Sequence, residues 1–173
     1  MIKRLLTILV FVNVIQVCSS QPKVISYSPD KHFDFILKAS KESHVLLGED
    51  AECTNIRNVL KAHSNMPVCI RVVEENCFPM GFAITSKPII LKPHEKMIGL
   101  QDLVVSKSAR GKGYGSILLE DIEAEAQTSG CTIQLILLKN NQQAKKFYEK
   151  HKYESFGEGP GGLILRKSFN RES

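Results

Sequence analysis

The apolar and polar positions in the first third of the chain predict one strand and two helices. KVISYS, residues 23–28, is apolar and β-branched, which is typical of a strand. SPDKHFDFILKASKES then offers Ser28 as an N-cap and Pro29 at the first helical position, ahead of apolar residues at helical spacing. EDAECTNIRNVLKAHSN, residues 49–65, has one apolar face and predicts a second, amphipathic helix.

The pattern then becomes that of a sheet. PVCIRVVEENCFPMGFAITSKPIIL, residues 67–91, holds two apolar segments around the polar residues 74–76 and predicts a β-hairpin. Because proline has no backbone N–H group, we expect Pro79 near a strand end or a bulge. KMIGLQDLVVS, residues 96–106, predicts a third and longer strand.

Helices and strands alternate in the rest of the chain. GYGSILLEDIEAEAQTSG predicts a helix that ends at Gly130, and CTIQLILLK predicts a buried strand. A helix capped by Asn140 or Asn141 then ends at Lys150, before two strands, YESF and GLILRKSF, around the glycine-rich GEGPGG. The order β-α-α-β-β-β-α-β-α-β-β predicts an α/β (α+β) fold, a mixed central sheet with helices on both faces.

Length, composition and charge fit one domain with a hydrophobic core. The chain has 173 residues, of which 43% are hydrophobic and 24% are charged. The formal net charge of +5 includes Lys3 and Arg4, and no run of Lys or Arg forms a basic patch. We therefore expect no nucleic acid partner.

The N-terminus has the pattern of an export signal. Two basic residues precede an apolar run, residues 5–17, and the small residues 18–20 suit cleavage after position 20. The run is interrupted and shorter than the roughly 20 residues that span a bilayer. We expect residues 1–20 to be a signal peptide or membrane anchor, and the only membrane contact, and residues 21–173 to be a single domain. The alternative is a cytoplasmic chain with an apolar first helix.

Removal of the signal, which contains Cys18, leaves four cysteines. Cys53, Cys69, Cys77 and Cys131 could pair in three ways. No two of them have the C-x-x-C spacing, so we expect no zinc site and no other metal. Buried free thiols are the simpler interpretation.

The segment ARGKGYGS, residues 109–116, has glycines at every second position directly before a helical pattern. Glycine has no Cβ, so its backbone reaches positive φ and can come close to a ligand. The first N–H groups of a helix lack internal partners, and the helix dipole favours an anion there. The segment therefore predicts an anion cradle, to which Arg110 and Lys112 add positive charge. The spacing is that of neither a P-loop nor a Rossmann fingerprint.

The R-x-x-G-x-G spacing of Arg110, Gly113 and Gly115 resembles that of the GNAT superfamily of N-acetyltransferases. NQQAKKFYEKHKY, residues 141–153, is similar to that family's N-x-x-A-x-x-F-Y-x-K-x-G-F. The resemblance covers about residues 23–168.

The chain also departs from the family pattern. Leu103 and Val105 fit the family's L-x-V in the strand before the turn. Lys107 and Ala109, however, stand where a proline and an aromatic residue are common, and Lys152-Tyr153 replaces the family's Gly-Phe.

This resemblance implies acetyl-CoA as the co-substrate. In the family the glycine turn holds the pyrophosphate, and the pantetheine lies between two splayed strands. The implied cofactor-binding residues are Leu103, Val104, Val105, Arg110, Gly111, Lys112, Gly113, Tyr114, Gly115, Ser116 and Asn141.

The resemblance also implies direct transfer of the acetyl group to a primary amine of a small molecule or a protein. Tyr148 matches the family's proton donor to the leaving thiolate, and Asp102 is a candidate base. A backbone N–H group near residues 103–105 would stabilise the oxyanion. The alternatives are a packing role for Tyr148 and a purely capping role for Asn141.

Two other functions stay open: a CoA-binding module without catalysis, and a secreted, disulfide-bonded interaction protein. The chain is expected to be a monomer or a homodimer. Acetyl-CoA is a cytosolic metabolite, so an exported acetyltransferase would lack its co-substrate. Three explanations are open: the protein enters a compartment that contains acetyl-CoA, the N-terminus only anchors it, or the N-terminal segment is not an export signal. ASKESHVLLGED, residues 39–50, and GEGPGG, residues 157–162, are expected to select the acceptor.

Overall fold

A computed structural model describes residues 21–45, 52–93 and 95–169. The predicted export segment, residues 1–20, and residues 46–50 of the predicted acceptor segment lie outside these ranges. The elements are β1 (Lys23–Ser26), α1 (Pro29–Val45), α2 (Glu52–Ala62), β2 (Val68–Glu75), β3 (Phe78–Ser86), β4 (Ile89–Lys92), β5 (Glu95–Val105), α3 (Tyr114–Ser129), β6 (Cys131–Leu137), α4 (Gln142–Lys150), β7 (Glu154–Gly159) and β8 (Gly162–Ser168).

The strands form one eight-stranded sheet in the order β1-β2-β3-β5-β6-β8-β7, and β4 pairs with β5 beside this path. Among the described strands, β5 and β6 pair in parallel and the other neighbours are antiparallel. A helix, α3, connects the parallel pair, as a crossover between parallel strands requires. The predicted mixed α/β sheet is therefore confirmed.

Helices cover both faces of the sheet, each over its own apolar core. On β3, Phe82 and Ile84 pack with α1 and α2, whereas Ala83 packs with α3 and the α4 residue Tyr148. Successive side chains of a strand point to opposite faces, so one strand supplies both cores. Helices α3 and α4 therefore cover the same face of the sheet. They lie over the strands that carry the candidate site, β5 and β6.

The segment predicted as the second arm of the hairpin contains two strands and not one. The first of them, β3, ends at Ser86, and residues 89–92 form β4, which turns back onto residues 95–97 of β5. Pro88 lies in the break and has no N–H group to donate to a ladder. All four residues of β4 are exposed, so burial gives this strand no periodicity that a sequence pattern could reveal.

The hairpin turn consists of residues 76–77, whereas residues 74–76 were predicted. Asn76 and Cys77 have φ values of 52° and 68°, so the two-residue turn places both in the left-handed region, as type I′ turns require. Pro79 lies at a register shift between β2 and β3, next to Met80, which confirms the bulge expected there.

The predicted free thiols are confirmed at two of the described cysteines and not at a third. Cys69 and Cys131 are free thiols, and Cys131 is buried, as expected for an apolar thiol. Cys77 is instead disulfide-bonded, so the free-thiol interpretation is wrong for this residue. Because Cys69 and Cys131 are free, neither of them is its partner.

Candidate functional site

The two parallel strands separate at the carboxyl end of the sheet. The pairing of β5 with β6 runs from Lys96–Cys131 to Leu100–Leu135, but β5 continues to Val105. A register shift in the pairing of β5 with β3 lies at the same level, between the Asp102 and Leu100 positions. The last residues of β5 therefore keep β3 on one side and face an opening on the other.

Backbone groups of β5 point into this opening. The N–H group of Ser106 donates to the Met80 carbonyl on the β3 side, with a distance of 2.9 Å between nitrogen and oxygen. Backbone groups alternate sides along a strand, so those of Leu103 and Val105 point away from β3. The Val105 carbonyl indeed accepts a hydrogen bond from Arg110 Nε, at 3.2 Å, on that side.

The glycine turn has the conformation that its composition predicts. Gly111 and Gly113 have φ values of 77° and 89°, in the left-handed region that side chains disfavour. Gly113 is the N-cap of α3, and a Cβ added to either glycine would meet nothing within 4 Å. The backbone N–H groups of the first turn of α3 therefore stand beside open space, where an anion can approach them.

Contacts behind the turn hold α3 in place. Tyr114, the first residue of α3, is buried, and its hydroxyl donates to Glu75 at 2.8 Å. This hydrogen bond raises the pKa of Tyr114, and burial raises it further. Arg71 of β2 donates to Asp121 at 2.8 Å and also pairs with Glu125, both on α3. Tyr114 thus anchors the turn with its side chain.

Helix α4 closes the other side of the opening. The Asn141 side chain accepts a hydrogen bond from Ala144 N at 3.0 Å, so Asn141 caps α4 as predicted. A Cβ added to Gly115 would lie 3.5 Å from the Phe147 ring, which means that α3 and α4 approach each other closely here.

A cavity of about 820 Å³ joins the glycine turn to the separated strands. It collects most of the predicted site residues: Leu103, Val104, Val105, Arg110, Gly111, Gly113, Tyr114, Gly115, Ser116, Asn141 and Tyr148. The described residues that line it include two cations, Arg110 and Lys150, and no carboxylate. Lys112 is exposed and Asp102 is half-buried, and neither belongs to the lining.

Tyr148 lies where the cavity meets the protein interior. Only 7% of its surface is exposed, and its ring contacts those of Phe147 and Tyr153, with ring centroids 5.2 and 5.4 Å away. Burial raises the pKa of Tyr148 well above that of an exposed tyrosine, and the negative charge of Asp102 raises it further. The two predicted catalytic residues therefore interact electrostatically, and Tyr148 stays protonated throughout the neutral range.

Several lining residues were not predicted from the sequence. These are Ser43, Ala109, Asn140, Gln142, Gln143, Ala144, Phe147 and Lys150. Ala144, Phe147 and Lys150 belong to the α4 motif and could have been chosen from their spacing. Ser43 of α1 was not named as a site residue, but it belongs to the segment, residues 39–50, that was expected to select the acceptor.

Other kinds of site find no support within the described residues. No three His, Cys, Asp or Glu side chains in them come together as a metal site requires. None of the described helices combines the length and the apolar composition that crossing a membrane requires.

Solved structures with the same fold include several N-acetyltransferases. PaiA N-acetyltransferase from Thermoplasma acidophilum in complex with coenzyme A matches with a TM-score of 0.68 at 13% identity, over 86% of this chain and 99% of that one. Arabidopsis thaliana Naa50 in complex with the bisubstrate analogue CoA-Ac-MVNAL matches with a TM-score of 0.64 at 19% identity, over 86% and 99%. An N-acetyltransferase from Staphylococcus aureus Mu50 gives 0.63 at 19% identity, over 87% and 100%.

The sequence comparisons point the same way. A search of curated proteins finds no significant match. The model of the acetyltransferase (GNAT) family, however, matches residues 33–153, which is more than half of the chain and includes the glycine turn and α4. The chain therefore belongs to the acetyltransferase (GNAT) family.

Proposed function

We propose that this protein is an acetyl-CoA-dependent N-acetyltransferase that acts on a primary amine. The observation that carries the proposal is the single cavity that joins the glycine turn, the backbone edge of β5 and Tyr148. Anion binding, carbonyl polarisation and proton donation are the three tasks that acetyl transfer from a thioester requires, and each has a group in this cavity.

The turn fits the pyrophosphate of coenzyme A. A Cβ at Gly111 or Gly113 would project into open space, so these positions leave room for phosphate oxygens against the backbone. The unpaired N–H groups at the start of α3 would bind those oxygens, and the cations Arg110 and Lys150 complement their charge. The absence of a carboxylate among the described lining residues removes a source of repulsion.

The groups at the inner end of the cavity suit the chemistry. Bound acetyl-CoA supplies an activated acetyl thioester. The N–H group of Leu103 or Val105, which points into the opening, would hydrogen-bond to the carbonyl oxygen. The Tyr148 hydroxyl would donate a proton to the departing sulfur. Asp102 is close enough to raise the pKa of Tyr148, and it stays our candidate for the base that removes a proton from the acceptor amine.

One observation favours a weaker activity as the second candidate function. A general acid works best when its pKa lies near the working pH, and burial moves the pKa of Tyr148 away from that range. A CoA-binding module with little or no catalysis therefore stays the alternative. Release of free thiol from acetyl-CoA in the presence of a mixed panel of amines distinguishes the two.

The acceptor is proposed to be the primary amine of a small molecule or a protein, and it would enter beside the loop between β7 and β8. Lys139, which follows β6, pairs with Glu158 of β7 at 2.5 Å. The next two residues, Asn140 and Asn141, line the cavity, so the end of β7 lies near the opening. Gly162, the first residue of β8, has a φ of 139°, and a Cβ there would lie 2.2 Å from the Leu137 carbonyl oxygen, so β8 leaves the loop in close contact with the end of β6.

We expect coenzyme A to stabilise the protein against thermal unfolding. A ligand present at 100 times its dissociation constant adds about 2.7 kcal/mol to the free energy of unfolding. The measurement is the melting temperature of residues 21–173 with and without coenzyme A. No shift at millimolar coenzyme A would overturn the proposed function.

We further propose that residues 1–20 direct export and are removed. The N-terminal pattern supports both steps. The disulfide bond of Cys77 supports export alone, because disulfides persist in oxidising compartments and are rare in the cytosol. We expect protein isolated from its native cells to start at or near Gln21, by N-terminal mass analysis. An intact Met1 in the membrane fraction would indicate an anchor, and an intact Met1 in the soluble cytosol would contradict export.

A further inference from the structure

A serine and a histidine form a pair beside the anion cradle. Ser116 is the third residue of α3, so its side chain belongs to the first helical turn, and it lines the cavity. Its hydroxyl oxygen lies 3.0 Å from Nε2 of His151, the C-cap residue of α4. The pair therefore connects the two helices at the mouth of the cradle.

The position of the imidazole is fixed by its neighbours. The backbone N–H group of His151 donates to the carbonyls of Phe147 and Glu149, and its ring lies 4.7 Å from that of Phe147, between centroids. Phe147 in turn contacts the position of Gly115, next to Ser116. Packing thus holds Nε2 toward the hydroxyl, and His151 does more than end a helix.

The single hydrogen of the Ser116 hydroxyl determines how the pair can act. A hydroxyl has one O–H to donate and two lone pairs that accept. An anion in the cradle offers only acceptors, so the hydroxyl must donate to the anion when it contacts it. The hydrogen bond between Ser116 and His151 must then be donated by the Nε2–H group of His151. Anion binding and the protonation of this nitrogen are therefore coupled.

We propose that His151 is a positioning residue for coenzyme A. Its Nε2–H group donates to the Ser116 hydroxyl and thereby directs that hydroxyl at a pyrophosphate oxygen. The inference rests on the proposed function, because it takes the pyrophosphate of coenzyme A as the anion. It adds a chain of two hydrogen bonds, imidazole to hydroxyl to phosphate, to the backbone cradle.

The test measures the dissociation constant of coenzyme A by calorimetry on the full chain. Ser116→Ala removes a hydrogen bond to a charged group and should raise the constant by about 10-fold or more. His151→Met should raise it by roughly 3- to 10-fold, and the double variant should be no weaker than Ser116→Ala alone, because both changes break one chain. His151→Gln keeps a side-chain N–H donor and should recover most of the loss.

A matched control is available in the short 3₁₀ helix that follows α2, His63–Asn65. His63→Met makes the same substitution at a histidine whose Nδ1 contacts the Leu60 carbonyl and which does not line the cavity, so it should leave the constant unchanged. A second readout needs no variant. Long-range ¹⁵N–¹H spectra of wild type should show a hydrogen on Nε2 of His151 when coenzyme A is bound.

The outcomes separate this inference from the proposed function. If wild type does not bind coenzyme A, the proposed function fails and the inference fails with it. If wild type binds but His151→Met binds equally well, or the two single losses simply add, only the inference is wrong. If His151→Met does not fold, the spectra decide, and a bound state without a hydrogen on Nε2 overturns the inference.

Discussion

Replacing Tyr148 by phenylalanine is expected to lower turnover by roughly 10- to 10⁴-fold, as loss of a general acid does, while the dissociation constant of coenzyme A changes little. The substitution keeps the ring, which packs against Phe147 and Tyr153, and removes only the hydroxyl. Burial and the charge of Asp102 raise the pKa of Tyr148, so the phenol is protonated at every working pH near neutrality. A fall of activity in mildly alkaline solution should therefore come from another group.

The measurement is single-turnover acetyl transfer, so that product release does not mask the chemical step. Tyr153→Phe is the matched control, since that tyrosine is also buried and does not line the cavity. It should leave turnover near the wild-type value. Unchanged turnover in Tyr148→Phe would instead assign Tyr148 a packing role.

Replacing Gly113 by valine is expected to abolish the stabilisation by coenzyme A, a loss of about 2.7 kcal/mol at a concentration 100 times the wild-type dissociation constant. Gly113 has a φ of 89°, and its added side chain would extend into the space in front of the first-turn N–H groups. The left-handed conformation should by itself cost roughly 1–2 kcal/mol of stability.

Gly130→Val separates the two effects. Gly130 caps the other end of α3, also in the left-handed region with a φ of 63°, and does not line the cavity. This variant should melt at a lower temperature than wild type and still respond fully to coenzyme A. A normal response of Gly113→Val would show that the ligand does not approach the turn.

Local patterns predicted the elements of this fold well because each depends on neighbours in sequence. The helical spacing after the glycine turn, the stop at Gly130 and the cap at Asn141 all appear in the structure, since caps and left-handed glycines satisfy backbone groups within a few residues. The strand β4 was missed because it is exposed, and an exposed strand has no buried face to impose alternation.

The structure also explains how the chain tolerates one departure from the family pattern, at Lys152. Lys152 stands where glycine is usual, and it adopts a φ of 63°. This position after α4 needs the left-handed conformation, which glycine reaches without strain and lysine reaches at a cost. The sequence showed the departure, but only the backbone angle shows that the turn is kept.

The sequence by itself determined the order of the elements (except for β4), the left-handed glycine turn before α3 and the α4 motif, because backbone conformation and helix termini are governed by adjacent residues. The tertiary structure alone decided which groups meet. It placed Asp102 within electrostatic reach of Tyr148, tied Tyr114 to Glu75 and set His151 against Ser116. These contacts join residues 35 to 46 positions apart in the chain, and their geometry follows from how the sheet separates and how α3 and α4 pack. No local pattern encodes such distances.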